Sequence, residues 1–134
     1  MKLYKEGDLG MLSMADRLAY VRSFASKFNL KESIQNSCGV KFYVYCLNSV
    51  CNHILSWKEE SDRVVMSTEF RVIIVNAKEQ IYATKYKTEY SIRNIERRLS
   101  NYTKQAKEFL IKMKKQEIEN DFKRTWKIGS KVWS

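Results

Sequence analysis

The chain has 134 residues, 44% hydrophobic and 30% charged, with 25 lysines and arginines against 15 acids and a net charge of +10. A chain of this length can bury a core as a single domain without disulfides or a metal, and its composition excludes both a disordered polymer and a membrane protein. No apolar run approaches the ~18 residues of a spanning helix, and the opening Met1-Lys-Leu-Tyr-Lys-Glu-Gly-Asp8 lacks the apolar stretch of a secretory signal. A cytoplasmic protein is expected, and three cysteines without a disulfide-framework spacing fit a reducing compartment.

The charge is unevenly placed. Residues 1–76 carry a balance of +2 and residues 77–134 a balance of +8. A field of that kind attracts polyanions, whether nucleic acid, an anionic membrane surface or an acidic protein. The chain has no proline and is rich in Lys, Ile, Asn and Tyr, as AT-rich genomes tend to encode; phages and other mobile elements often have such genomes.

Residues 1–12 read as an arm or short edge segment loosened by Gly7 and Gly10. Ser13 is an N-cap with Asp16 as its reciprocal acid, and a helix follows over residues 14–28. Its apolar stripe is Met14, Leu18, Val21, Ala25 and Phe28, with Arg17, Arg22 and Lys27 facing outward. Asn29-Leu-Lys-Glu32 repeats the capping pattern and predicts a second, short helix before Gly39.

From Val40 the period becomes two. Val40, Phe42, Val44 and Cys46 alternate with Lys41, Tyr43, Tyr45 and Leu47, which is a strand. Asn48-Ser49 reads as a tight turn and Val50 to Trp57 as a returning strand, with a short helix as the alternative. After the polar loop Lys58 to Asp62, the longest strand runs from Val64 to Val75; a turn at residues 76–79 and a strand from Gln80 to Lys87 follow.

The most regular stretch covers residues 90–125, where Ile92, Ile95, Leu99, Tyr102, Ala106, Phe109 and Met113 recur at steps of three and four. This predicts one long amphipathic helix. Some 35 residues of helix extend roughly 50 Å, against a diameter of about 35 Å for a compact domain of this size. The excess predicts an overhang, a bend or a homodimer packed along Phe109, Met113 and Phe122. The expected architecture is α+β: an N-terminal helix, an antiparallel meander of three to four strands, and a long C-terminal helix covering one sheet face.

Nucleic-acid binding is the leading functional expectation. Arg93, Arg97, Lys104, Lys107 and Lys114 fall on the helix face opposite the apolar stripe. In the tail, residues 126–134, and just before it, Lys123, Arg124, Trp126, Lys127, Lys131 and Trp133 interleave cations with indoles that could take phosphates and stack bases. No helix-turn-helix, RNP-type aromatic motif or GxxG loop occurs, so contacts to the phosphate backbone should dominate.

The alternative is a phage or mobile-element protein that binds and inhibits a host protein or nucleoprotein complex, docking through Tyr43, Tyr45, Trp57, Tyr82 and Tyr86. No cofactor is expected. Cys38, Cys46, Cys51 and His53 lie close in sequence, but their gaps are short for a zinc finger and they straddle a strand, so buried or half-buried thiols are the better reading. A catalytic reading has only Asp62 with Glu69 and Arg71, faintly like a metal-dependent nuclease, and a cross-strand ion pair explains those residues more simply.

Overall fold

The computed structural model describes the backbone of residues 7–133 and the side chains of residues 7–115. Its elements run α1 (Met14–Lys27), β1 (Lys31–Ser37), β2 (Val40–Cys46), β3 (Val50–Cys51), β4 (Leu55–Lys58), β5 (Val64–Val75), β6 (Lys78–Glu89) and α2 (Ile92–Trp133). The chain divides into two compact units, Met1–Thr103 and Lys104–Ser134. The first holds α1, the sheet and the opening turns of α2; the second is the remainder of that helix.

Residues 7–12 are more than an arm. A single 3-10 turn, Leu9–Met11, buries Leu9 completely and Leu12 nearly so. Backbone bonds from Leu9 N–H to Tyr90 O (2.9 Å) and from Ile92 N–H to Gly7 O (3.1 Å) fasten the segment to the start of α2.

Ser13 caps α1 as its sequence implies, its hydroxyl accepting from the Asp16 amide at 3.2 Å. The buried face is Tyr20, Val21, Phe24 and Ala25, so the predicted stripe is rotated and Met14 lies exposed. The helix ends in a Schellman motif: Asn29 takes φ 59°, Leu30 N–H reaches Ala25 O at 2.8 Å and Asn29 N–H reaches Ser26 O at 3.3 Å. That left-handed residue turns the chain out of helix geometry. Residues 31–37 form β1 instead of the expected second helix, pairing with β2 along their full length.

The sheet has six strands in the order β1-β2-β4-β5-β6-β3, antiparallel except for the β3–β6 pair. The predicted meander had three or four strands. The expected return strand over 50–57 is broken at Asn52 (φ 68°), leaving Val50–Cys51 to pair in parallel with Ile81–Tyr82 while Leu55–Lys58 returns to β2. Only three residues separate Cys46 from Val50 and Cys51 from Leu55. Such links reach at most about 14 Å, whereas β2 and β3 would stand about 19 Å apart in a flat sheet of this order. The sheet therefore curls.

Two-residue turns close both long hairpins. Cys38 and Gly39 (φ 52° and 80°) join β1 to β2, and Asn76 and Ala77 (φ 53° and 63°) join β5 to β6, the positive pairs of a type I′ turn. The core of the first unit includes Val21, Tyr45, Ile54, Leu55, Val64, Met66, Ile81, Ile92, Ile95 and Leu99, each at most 1–2% exposed. Arg22 joins α1 to the sheet, with Nε 3.0 Å from Glu32 Oε1 and its guanidinium 5.7 Å from the Tyr43 ring centre. Tyr102 joins α2 to β5 through Ser67 and an edge-on contact with Phe70.

Candidate nucleic-acid interface

The opening of α2 sorts its arginines. Ile92, Ile95, Leu99 and Tyr102 are buried, so the 3.6-residue period sends Arg93 and Arg97 outward. Arg98, one position further round, is half-buried and pairs with Glu89 at 2.9 Å. Arg93 and Arg97 have no carboxylate within ion-pairing distance among the described residues; Arg97 instead donates to Asn94 Oδ1 at 3.1 Å.

Beside them the last turn of α1 delivers Lys27, which pairs with Glu96. Lys27, Arg93, Glu96, Arg97, Ser100 and Asn101 line a shallow depression of about 380 Å³. Three cations thus face one carboxylate, with a hydroxyl and an amide at the rim as hydrogen-bond donors. This is the donor set that takes a phosphate oxygen: charge-assisted N–H bonds from arginine, lysine as a point charge, and neutral donors to complete the shell.

The sequence singled out Arg93 and Arg97 but not their neighbours in the depression. Ser100 and Asn101 lie one further turn along the same helix face, a signal present in the spacing. Lys27 reaches the site only through the packing of α1 on α2, which no local pattern reveals.

In the second unit Lys104, Lys107 and Lys114 are exposed, as are Lys112 and Lys115. Lys123, Arg124, Trp126, Lys127, Lys131 and Trp133 lie outside the residues whose side chains are described, as does Phe122 of the expected homodimer seam. The backbone of α2 continues through the predicted tail to Trp133, Gly129 included.

The aromatic docking surface does not assemble as expected. Tyr43, Tyr45 and Trp57 are buried: Tyr43 packs on Trp57 with ring centres 5.5 Å apart, Trp57 Nε1–H donates to Ser61 O at 2.9 Å, and Tyr45 Oη donates to Glu32 at 2.8 Å. Burial, followed by the bond to Glu32, drives the Tyr45 phenol far above its ordinary range. Tyr82 is half-buried and Tyr86 exposed, the latter stacked on His53 and donating to His53 O at 2.8 Å.

The cysteines do not converge. Cys38 is exposed in its turn, and Cys46 and Cys51 are half-buried. Among the described residues no three His, Cys, Asp or Glu side chains gather as a metal site. The carboxylates of the nuclease-like reading are taken locally, Asp62 by Arg63 at 2.8 Å and Glu69 by Lys85 at 3.3 Å. The hydrogen bond from Arg63 holds the Asp62 carboxyl below its usual range. Among the described residues no helix is long and apolar enough to cross a membrane.

Fold and site together define an α+β protein with an exposed cationic depression at the junction of its two helices. Compared with protein-family models, curated proteins and solved structures, the chain has no significant match.

Proposed function

We propose that this chain binds nucleic acid through phosphate contacts, with Arg93, Arg97 and Lys27 as the seat in the first unit and the lysines Lys104, Lys107 and Lys114 as further contacts in the second. The observation that carries the reading is the contrast within two helical turns: Arg98 is neutralised by Glu89, while Arg93 and Arg97 stand outward without a carboxylate partner among the described residues. Like charges at a spacing of four disfavour an isolated helix by a few tenths of a kcal/mol, and an anionic ligand reverses that sign.

Backbone recognition of this kind is governed by counterion release, so affinity falls steeply with salt. Fluorescence polarisation with labelled single-stranded and duplex oligonucleotides across a salt series tests it. Arg93→Ala and Arg97→Ala should each weaken binding to all sequences alike and lower the salt slope by about 1. Absence of binding at low salt overturns the reading.

A further inference from the structure

Among the described residues two long backbone edges of the sheet stand open, that of the outer strand β1 and the part of the interior strand β5 that β4 does not cover. β1 is guarded by polarity: Lys31, Glu32, Ser33, Gln35, Asn36 and Ser37 leave only Ile34 as an apolar residue on a wholly exposed strand. The open edge of β5 is not guarded. β4 pairs with β5 only at Val65 and Met66, and a last backbone bond joins Ser67 N–H to Ile54 O at 2.9 Å. Beyond it β5 and β6 continue to the turn at Asn76, with β3 on the far side of β6 only at Ile81–Tyr82, so that from Ile73 onward they stand as a two-stranded ribbon; among the described residues no strand lies on the open side of Arg71–Val75.

The side chains there are the wrong ones for water. Val72, Ile73 and Ile74 are 40%, 42% and 71% exposed, and they point alternately to the two faces of the ribbon. An open backbone edge bearing apolar side chains on both faces is a template for another strand, and a two-stranded ribbon is barely stable alone.

We propose that a second copy of this chain occupies that edge, the two β5 strands pairing antiparallel about Ile73. A two-fold axis there sets Ile73 opposite the partner's Ile73 on one face, and Val72 opposite the partner's Ile74, twice over, on the other. All three apolar residues then meet apolar residues. The charges agree with this register. Arg71 falls opposite the partner's Val75, and the two Arg71 side chains stand about 13 Å apart along the strands, beyond a Debye length of about 8 Å at physiological salt. Centring on Arg71 would instead bring the two guanidinium groups face to face. The open stretch ends at the turn, so neither hairpin tip collides with β4 of the other copy.

The pairing makes no use of α2 and holds without nucleic acid, so it stands or falls apart from the binding reading. Sedimentation velocity of the full chain, free of nucleic acid, should give a concentration-dependent species of twice 15.9 kDa. Ile73→Lys should raise its dissociation constant at least about tenfold, as expected for a central interface residue, with an unchanged far-UV circular dichroism spectrum because Ile73 is exposed. In a Cys38→Ser background, Ile73→Cys should form an intermolecular disulfide on mild oxidation, since facing Cβ atoms lie about 5 Å apart, whereas Arg71→Cys should not. A monomer throughout the concentration range overturns the proposal. So does a dimer indifferent to Ile73→Lys, or one in which Ile73→Cys fails to cross-link.

Discussion

Ser67 Oγ on β5 and Tyr102 Oη on α2 lie 2.9 Å apart in a buried pocket where Ser67 also reaches Glu69 O and Thr84 O, each at 2.8 Å, and Tyr102 reaches Glu69 O at 3.0 Å. Two hydroxyl protons are shared among these acceptors, and together they are the polar joint between the long helix and the sheet. Burial raises the Tyr102 phenol above its ordinary range, so it stays protonated as a donor. Tyr102→Phe should destabilise the chain by about 1–2 kcal/mol and Ser67→Ala by a similar amount. Because they share a network, the double substitution should lose less than the sum by at least ~0.5 kcal/mol. Urea unfolding of the four proteins measures the cycle; strict additivity would show that the two hydroxyls act independently.

Thr84, opposite Glu69 in the β5–β6 ladder, presents the reverse case. Its Oγ1 is buried and has no hydrogen-bond partner among the described residues. A desolvated hydroxyl without a partner costs about 1–3 kcal/mol, and valine keeps the branched shape that suits a strand. Thr84→Val should therefore be neutral or stabilising by up to about 1 kcal/mol, read as a rise in urea midpoint at constant m-value. A clear loss of stability would mean that the hydroxyl is bonded.

Arg17 holds together two loops of backbone through three carbonyls. Its guanidinium donates to Gly10 O at 2.8 Å, Leu12 O at 3.0 Å and Glu60 O at 3.1 Å, tying the 3-10 turn to the β4–β5 loop. The loop also passes so near Gly10 that a Cβ there would sit 2.8 Å from Asp62 Cβ. Arg17→Ala should destabilise by roughly 2–3 kcal/mol, in the range of charge-assisted bonds. Arg17→Lys should recover little of it, because one ammonium cannot reproduce the planar fork. Thermal unfolding of both variants distinguishes a clamp from a solvated charge, for which the two would differ little from the parent.

Arg17 also shows where local pattern stops being informative. The expected stripe places it on the outer face of α1, whereas the observed buried face of Tyr20, Val21, Phe24 and Ala25 continues through position 17 and turns the half-buried guanidinium toward a pair of loops that local spacing does not contain. The same holds for β1. Its residues are exposed on both faces, so no alternation exists to announce a strand, and the capping-like Asn29-Leu-Lys-Glu32 suggests a helix until pairing with β2 and the left-handed Asn29 decide otherwise. Where one face is buried, as in β5 up to Met66 and along the opening of α2, the period is readable because burial is what writes it, whereas β2 buries Tyr43, Val44 and Tyr45 in succession and so covers both its faces. The candidate site divides on the same line: Arg93 and Arg97 follow from helix geometry, Lys27 only from how α1 meets α2.

His53 supplies a pH test, since it is the chain's single histidine. Its ring stacks on Tyr86 with centres 5.1 Å apart, and burial lowers its pKa below the ordinary 6.5. A folded pKa below the unfolded one means that the unfolded chain binds the proton first. The stability that follows from keeping the ring neutral is present above pH 6.5 and is lost as the pH falls through the folded pKa. His53→Phe retains an aromatic ring beside Tyr86 and leaves the backbone carbonyl that accepts from Tyr86 Oη. The parent should therefore lose stability relative to this variant between pH 7.5 and pH 5.5, a window above the ordinary carboxylate range of about 4. Urea unfolding at the two pH values reads that difference, and NMR titration of the imidazole gives the folded pKa directly. An unshifted or raised value, or a parent-to-variant gap that stays constant across the window, would place the ring in contact with water.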